Sequence, residues 1–210
     1  MTPAPPSDDT RRALTLQYAT VAWNVGEAFL TIGLGAVAGS LALIAFGTSS
    51  MVEVFASFVV IWHLKPTAGV DHAARTSRAL KLVAGAFLLL AVALGASAIR
   101  DLASGREAGE SWWGVAYLAV TAVVMFGLSI AKRKVARRLN SGPLESEATM
   151  TFLDGILSVS TLTGLALNAA FGLWWADPAV ALIVALFALN EARENWEEAR
   201  EVGQVDSERE

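Results

Sequence analysis

Residues 82–99, LVAGAFLLLAVALGASAI, form an uninterrupted run of 18 residues without a charged side chain. Lys81 precedes the run directly and Arg100 follows it. An apolar run of about 18 or more residues is long enough to cross the ~30 Å hydrocarbon core of a bilayer as a helix. This stretch therefore predicts a transmembrane helix and places the chain among integral membrane proteins.

The same arrangement continues on both sides of this run, because apolar blocks alternate with charged segments along the whole chain. Of the 210 residues, 54% are hydrophobic, which leaves little sequence for a separate soluble domain. The predicted spans are Leu16 to Val37, Leu41 to His63, Leu82 to Ile99, Trp112 to Ile130, Glu147 to Gly172 and Ala179 to Ala192. We therefore predict an all-α integral membrane protein in which residues 16–192 form a bundle of six transmembrane helices.

Polar segments separate the predicted spans. Lys65 to Lys81 is a polar segment, Arg100 to Ser111 a loop, Lys132 to Ser146 a basic loop and Trp174 to Pro178 a turn. Residues 1–15 are predicted to be a cytoplasmic N-terminal segment without a signal peptide. Residues 193–210 are predicted to be an acidic cytoplasmic tail that is solvated and frays. Its first half has an alternative, since charged pairs four residues apart favour a continued helix.

Basic residues are distributed unequally between the two sides of the predicted bundle. One side receives Arg11, Arg12, Lys65, Arg75, Arg78, Lys81, Lys132, Arg133, Lys134, Arg137, Arg138, Arg193 and Arg200, and the other receives Arg100 and Arg106. Lys and Arg near span ends favour the cytoplasmic side. Both termini are therefore predicted to be cytoplasmic, in a multi-pass protein of the plasma membrane.

Composition also argues against several classes of function. The chain has no cysteine, which excludes disulfides and thiolate metal sites. No combination of Ser, His and Asp suggests a nucleophilic enzyme, and no glycine-rich loop suggests phosphate binding. We therefore predict that the protein is not an enzyme, and the absence of a basic stripe argues against a nucleic-acid partner.

Three carboxylates lie well inside predicted spans, namely Glu27, Glu53 and Asp154. A charge at the centre of a span costs about 2.5–3.5 kcal/mol on insertion scales, so such residues usually face the bundle interior or a wet cavity. Glu27 and Glu53 lie near the middle of their spans, and Asp154 is about two turns into its own. The three carboxylates could therefore meet in one polar layer.

Each carboxylate has a polar or sulfur-containing neighbour on the same face of its helix. Ser49 is four residues before Glu53, and Met150 is four residues before Asp154. Asn24 is three residues before Glu27, and this spacing also places two side chains on one helix face. The alternative is structural, since polar residues in spans often hydrogen-bond to a neighbouring helix. That alternative is strongest for Asn24 and Ser49, whereas Glu53 and Asp154 favour a shared ligand or proton.

The pattern resembles the membrane domain of the cation diffusion facilitators, which are divalent-metal/proton antiporters. The resemblance extends over roughly residues 18–192 and rests on particular stretches. GSLALIA (39–45) is similar to the family's opening of the second span, and SSMVEV (49–54) lies where that family has its first pair of metal ligands. DGILS (154–158) and WWADP (174–178) are similar to the fifth span and the turn into the sixth.

The resemblance implies a metal site with two ligands from the second span and two from the fifth. These positions fall on Ser49, Glu53, Met150 and Asp154. The family usually has His or Asp followed by Asp in the first pair, and His followed by Asp in the second. This chain keeps only the acidic member of each pair. Glu27, with Asn24 beside it, is then a candidate for an additional metal or proton site.

The resemblance further implies a transporter that exports a divalent cation, zinc or another transition metal, in exchange for protons. The family expectation is a homodimer in the lipid bilayer. The chain is identified as a divergent member that lacks the cytoplasmic C-terminal domain of many relatives. Because of that difference and the altered ligands, a second hypothesis is a membrane protein that does not transport and acts as a partner or regulator.

Overall fold

The computed structural model describes residues 7–38, 41–65, 71–105 and 112–207. These residues form six α-helices, which are connected by short turns or by segments outside the described ranges. The helices are α1 (Asp8–Ala38), α2 (Leu41–Leu64), α3 (His72–Ser104), α4 (Trp112–Leu139), α5 (Gly142–Phe171) and α6 (Ala176–Ser207). The predicted all-α membrane bundle is confirmed.

Four helices within the described ranges contain a segment long and apolar enough to cross a membrane. These segments are Gly47–Leu64, His72–Ser104, Val115–Leu139 and Gly142–Phe171. Helix α1 is not among these segments, and its buried face carries Gln17, Asn24 and Glu27. Its other side exposes apolar side chains such as Val37, as a lipid-facing surface does. The spanning of α1 and α6 stays a prediction.

The predicted basic loop between the fourth and fifth spans is wrong. Helix α4 continues to Leu139 and α5 starts at Gly142, so two residues connect them. Asn140 makes this tight turn with a left-handed backbone (φ 48°), a conformation that Asn tolerates better than most residues. The error has a physical cause, since Lys and Arg are good helix formers and their charge does not end a helix.

The polar segment before the third span is also shorter than predicted. The Asp71 carboxylate accepts hydrogen bonds from the backbone N–H groups of Ala73 (2.8 Å) and Ala74 (3.1 Å). This N-cap satisfies two of the free donors at a helix start. Helix α3 therefore begins at His72 and has 33 residues, or about 50 Å at ~1.5 Å per residue.

Helix α6 pairs with α3 over most of its length and does not fray where the sequence suggested. The helix is continuous to Ser207. The Ser77 hydroxyl on α3 donates a hydrogen bond to the backbone oxygen of Ala199 (2.6 Å), and Ala199 itself is fully buried. An ion pair between Arg193 and Glu197 (2.8 Å) supports the same helix. The first half of the predicted tail is therefore a packed helix, as the alternative interpretation held.

Glu198 shows that this part of α6 also lies against the start of α5. Outside the local helix backbone, its carboxylate is the group that a Cβ atom at Gly142 would meet first. Partial burial raises the pKa of Glu198, and the charges of Glu145 and Glu201 raise it further. The end of α6, the start of α3 and the start of α5 therefore lie together on one side, which we call the basic side.

The remaining helices pack as antiparallel pairs around a shared centre. Helix α1 lies along α2, and α4 lies along α5, while α2 and α5 contact each other and α3. An ion pair between Asp9 and Arg138 (3.3 Å) connects the start of α1 to the end of α4, also on the basic side. Helices α2 and α5 are thereby held at the centre of the bundle, where a polar site is shielded from lipid.

Close approach of α5 and α6 depends on Gly164. A Cβ atom at this position would lie 2.6 Å from the Asp177 Cβ and 3.2 Å from its backbone nitrogen. Backbone atoms cannot move aside as the end of a long side chain can. No such limit applies at Gly95 of α3, which has open space where a Cβ would stand.

We expect Gly164→Ala to lower the thermal stability of the protein in detergent, because overpacking costs about 1–3 kcal/mol. The matched control is Gly95→Ala, which should be neutral or stabilising by roughly 0.5–1 kcal/mol because Ala is the better helix former. Intrinsic tryptophan fluorescence during heating measures both changes. Equal midpoints of thermal unfolding for the two variants would contradict the close approach of α5 and α6.

Candidate metal centre

The predicted ligand positions on α2 and α5 line one small cavity. Ser49, Glu53, Met150 and Asp154 surround it, together with Leu90 of α3 and Leu157 of α5. On each helix the two polar or sulfur-bearing residues are four apart, so they share a helix face. The cavity has a volume of about 10 Å³, which is close to the space that one water molecule needs. The arrangement can hold a single small ion that has lost its hydration shell.

Both carboxylates at this cavity are incompletely satisfied, Glu53 as a buried residue and Asp154 as a half-buried one. Oε1 of Glu53 and Oδ2 of Asp154 have no hydrogen-bond partner among the residues that the structure describes. The Glu53 side chain is only 3% exposed. Burying an unpaired carboxylate is costly unless it is protonated or meets a cation. The free oxygens therefore suit a positively charged ligand in the cavity.

Asn24 of α1 is hydrogen-bonded to the Glu53 carboxylate. Its side-chain amide donates a 2.7 Å hydrogen bond to Oε2 of Glu53. This bond leaves Oε1 as the oxygen available for a ligand. The Asn24 carbonyl oxygen is also buried and has no partner within the described ranges. Asn24 is therefore placed to orient the Glu53 carboxylate, in addition to its sequence-based role as a candidate ligand.

Glu27 of α1 is hydrogen-bonded to side chains of α2 and α4. Its Oε1 accepts a 2.7 Å hydrogen bond from the Tyr117 hydroxyl, and its Oε2 accepts a 3.0 Å bond from the Ser50 hydroxyl. The Tyr117 ring stacks on Trp23, with centroids 6.4 Å apart. Sequence reasoning missed Tyr117, since a phenol within a span looks like any other aromatic residue.

The three intramembrane carboxylates consequently do not converge on one point. No group of three or more His, Cys, Asp or Glu side chains that could hold a metal ion occurs in the described part of the chain. Glu27 does not line the cavity of Glu53 and Asp154, although its charge acts on Asp154. Both Glu27 oxygens accept hydrogen bonds within the protein. A single polar layer of the three carboxylates stays a prediction. A metal at the cavity needs Ser49, Met150 or Asn24 to complete its ligand set.

The comparison with known families agrees with this architecture. Residues 18–202 match the family model of the cation efflux transmembrane domain. The chain belongs to the cation efflux family. It is 29% identical over 188 residues to an uncharacterized transporter of Synechocystis sp., a match that covers 84% of this chain. The matched region corresponds to 60% of that relative's length.

This cation efflux protein also buries an ion pair that the sequence did not reveal. The Lys132 ammonium of α4 lies 2.7 Å from Oε1 of Glu147 on α5, and both side chains are fully buried. Ser57 of α2 donates to the same oxygen (2.8 Å), while Gln17 of α1 donates to Oε2 (2.7 Å). Lys132 also donates to the Thr151 hydroxyl (3.0 Å). We call these five residues the ion-pair cluster.

Position explains why this cluster was missed. The sequence predicts Lys132 in the basic loop because Lys132 closely follows the apolar block of the fourth span. A Lys near a span end commonly extends towards the interface, and nothing in the sequence distinguishes one that turns inward. Glu147 was placed at the boundary of the fifth span, where a charge costs little. The available signal was that Lys132 and Glu147 lie at similar distances from the turn that joins α4 and α5.

We expect Lys132→Gln to destabilise the protein by about 3–5 kcal/mol, because it leaves the Glu147 carboxylate buried without its counter-charge. The double variant Lys132→Gln/Glu147→Gln should recover most of that loss, since it removes both charges and keeps polar groups for Ser57 and Gln17. Thermal unfolding in detergent measures the stability of the wild type, the single variant and the double variant. Arg193→Gln is the control, because it removes an exposed partner of an ion pair and should change little.

A double variant no more stable than Lys132→Gln would show that the two charges are not coupled.

Proposed function

We propose that the protein transports a divalent metal cation across the membrane in exchange for protons, through the cavity between α2 and α5. The observation that carries the proposal is the convergence of two carboxylates with free oxygens, Glu53 and Asp154, on one cavity of ion size. Membership of the cation efflux family supports the same conclusion. The direction that fits this family is efflux, with the plasma membrane as the site.

The ligand types favour a transition metal over calcium or magnesium. Glu53 and Asp154 offer carboxylate oxygens, Ser49 a hydroxyl and Met150 a thioether. Calcium takes six to eight oxygen ligands and magnesium demands an octahedron of oxygens, which four residues of this kind do not supply. Zinc is commonly bound by four ligands, and a thioether favours soft ions over hard ones. Zinc or a similar transition metal therefore fits the cavity best as the substrate.

Exchange for protons follows from the burial of the carboxylates. When a divalent cation leaves, Glu53 and Asp154 face a low-dielectric cavity with two negative charges. Protonation removes that cost, so protons entering the cavity compete with the metal. Glu27, which is hydrogen-bonded by Tyr117 and Ser50, is a candidate for an additional proton site because it is buried beside the cavity and does not line it.

We expect Glu53→Gln and Asp154→Asn each to abolish zinc flux into proteoliposomes that contain a fluorescent zinc indicator and carry a pH gradient. Each change keeps the size of the side chain and removes the charge that binds the cation. The matched control is Glu145→Gln on α5, whose carboxylate is half exposed and paired with Arg137. In the wild type, acidifying the side that holds the metal should weaken uptake, since the ligands must be deprotonated.

Unchanged flux in Glu53→Gln would overturn the proposed site. The absence of flux for any divalent cation, with well-folded wild-type protein, would favour the partner or regulator hypothesis.

Met150 provides a test of the ion's character. Met150→Leu conserves volume and removes the sulfur, so we expect cadmium and zinc to bind about tenfold more weakly, or ~1.4 kcal/mol. Manganese, a harder ion, should be affected less. Isothermal titration of purified protein measures both. The control is Met125→Leu, because Met125 is also fully buried and does not line the cavity.

Equal losses for cadmium and manganese in Met150→Leu would indicate that the thioether is a packing group and no ligand.

The expected homodimer stays a prediction from the family. Apolar side chains such as Phe29 (78% exposed) and Val123 (73% exposed) face outward, where lipid or a second copy of the chain can cover them.

A further inference from the structure

The ion-pair cluster lies between the metal cavity and the basic side of the bundle. Ser57 follows Glu53 by four residues on α2, and Glu147 precedes Asp154 by seven on α5. At ~1.5 Å per residue these separations correspond to about 6 and 10 Å. Because α2 and α5 run in opposite directions, both displacements point the same way. They lead towards the end of α2 and the start of α5, which are at the basic side.

The cluster closes this route by connecting four helices. Gln17, Ser57, Lys132, Glu147 and Thr151 are each fully buried. Their hydrogen bonds and ion pair join α1, α2, α4 and α5 through one carboxylate. These are the helices that an ion must pass between on its way from the basic side to Glu53. Separation of the ion pair would therefore detach α4 from the Glu147 carboxylate, to which α1 and α2 are also hydrogen-bonded.

The charge of Lys132 adds an electrostatic barrier. Its ammonium lies within electrostatic range of Glu53, and a fixed positive charge beside a narrow path repels an approaching divalent cation. Glu147 neutralises most of this charge only while the pair is intact. When the pair separates, the Glu147 carboxylate becomes available to an incoming cation.

We propose that the Lys132–Glu147 ion pair, with the hydrogen bonds from Gln17 and Ser57, is the gate that closes the metal cavity towards the basic side. The gate opens when the pair separates and α4 moves away from α1 and α2. This inference rests on the proposed transport function, since only a cavity that exchanges its ion needs a gate.

Thiol labelling tests the gate without any metal. The chain has no cysteine, so Leu157→Cys introduces a unique reporter at a residue that lines the cavity and is 8% exposed. A membrane-impermeant, positively charged methanethiosulfonate is added to sealed vesicles of either orientation. In the background Lys132→Gln/Glu147→Gln, we expect labelling from the basic side to be about tenfold faster, as when a minor open state becomes a major one.

Two further variants separate gating from general loosening. The swapped pair Lys132→Glu/Glu147→Lys keeps an ion pair and should restore slow labelling. Arg193→Gln/Glu197→Gln removes an exposed ion pair of similar length (2.8 Å) and should leave the rate unchanged. Labelling from the opposite side should not rise in any variant, because only one end of the path is gated by this cluster.

The outcomes distinguish the possibilities. Unchanged labelling in a folded double variant would overturn the proposal, and so would an equal rise from both sides, which indicates loosening of the whole bundle. If the double variant fails to fold, Ser57→Ala removes one hydrogen bond to Glu147 and should still raise labelling from the basic side severalfold; no rise there would also overturn the gate. Labelling and zinc flux are independent readouts, so a failed gate and a failed transport function are distinguishable.

Discussion

The need to keep unpaired carboxylates out of lipid determines how this bundle is assembled. Glu53 and Asp154 each keep an oxygen without a partner in the described structure, and neither has a basic residue bonded to it as Glu147 has. Such groups are tolerated only in a protein-lined interior. The inward orientation of the Glu53 face of α2 and the Asp154 face of α5 follows, while the outer face of α2 exposes apolar side chains such as Phe58. The cavity is the consequence of this enclosure and not a defect in packing.

Two solutions to the burial of negative charge stand side by side in the same molecule. Glu147 is satisfied internally by Lys132, Ser57 and Gln17, so it has little need of an external cation. Glu53 accepts a hydrogen bond from Asn24 at Oε2 and retains Oε1 for a ligand. The Glu147 carboxylate therefore stabilises the fold, whereas the Glu53 carboxylate keeps an oxygen that can bind a cation. A transporter requires this division, since a site that satisfies itself fully has no affinity left for its substrate.

The sequence predicts the architecture and the cavity better than it predicts the polar contacts around them. Apolar length identified the membrane class, and the four-residue spacing of Ser49 with Glu53 and of Met150 with Asp154 identified the residues that the structure brings to one cavity. These signals are local, because they depend only on the period of a helix. The boundaries of α4 and α5 were missed because charge was taken to mark a loop.

Contacts between distant helices were beyond the reach of such local signals. The Tyr117 bond to Glu27 spans 90 positions and the Gln17 bond to Glu147 spans 130. No periodicity within one helix indicates which face of another helix it meets. The packing of the acidic tail on α3 through Ser77 and Ala199 belongs to the same class, since its composition alone favoured a solvated segment.

The altered ligand set bears on how the ion is released. Ser49 and Met150 carry no charge, so the cavity offers two negative charges to a divalent cation, and the complex with both carboxylates ionised is neutral. A neutral complex is tolerated in a low-dielectric interior, and protonation of one carboxylate leaves an excess positive charge that disfavours the metal. In the proposed exchange, two carboxylates with neutral neighbours are therefore enough to couple metal release to proton entry. The positive charge of Lys132, which lies within electrostatic range of Glu53, then opposes movement of the metal towards the basic side while the cavity is occupied.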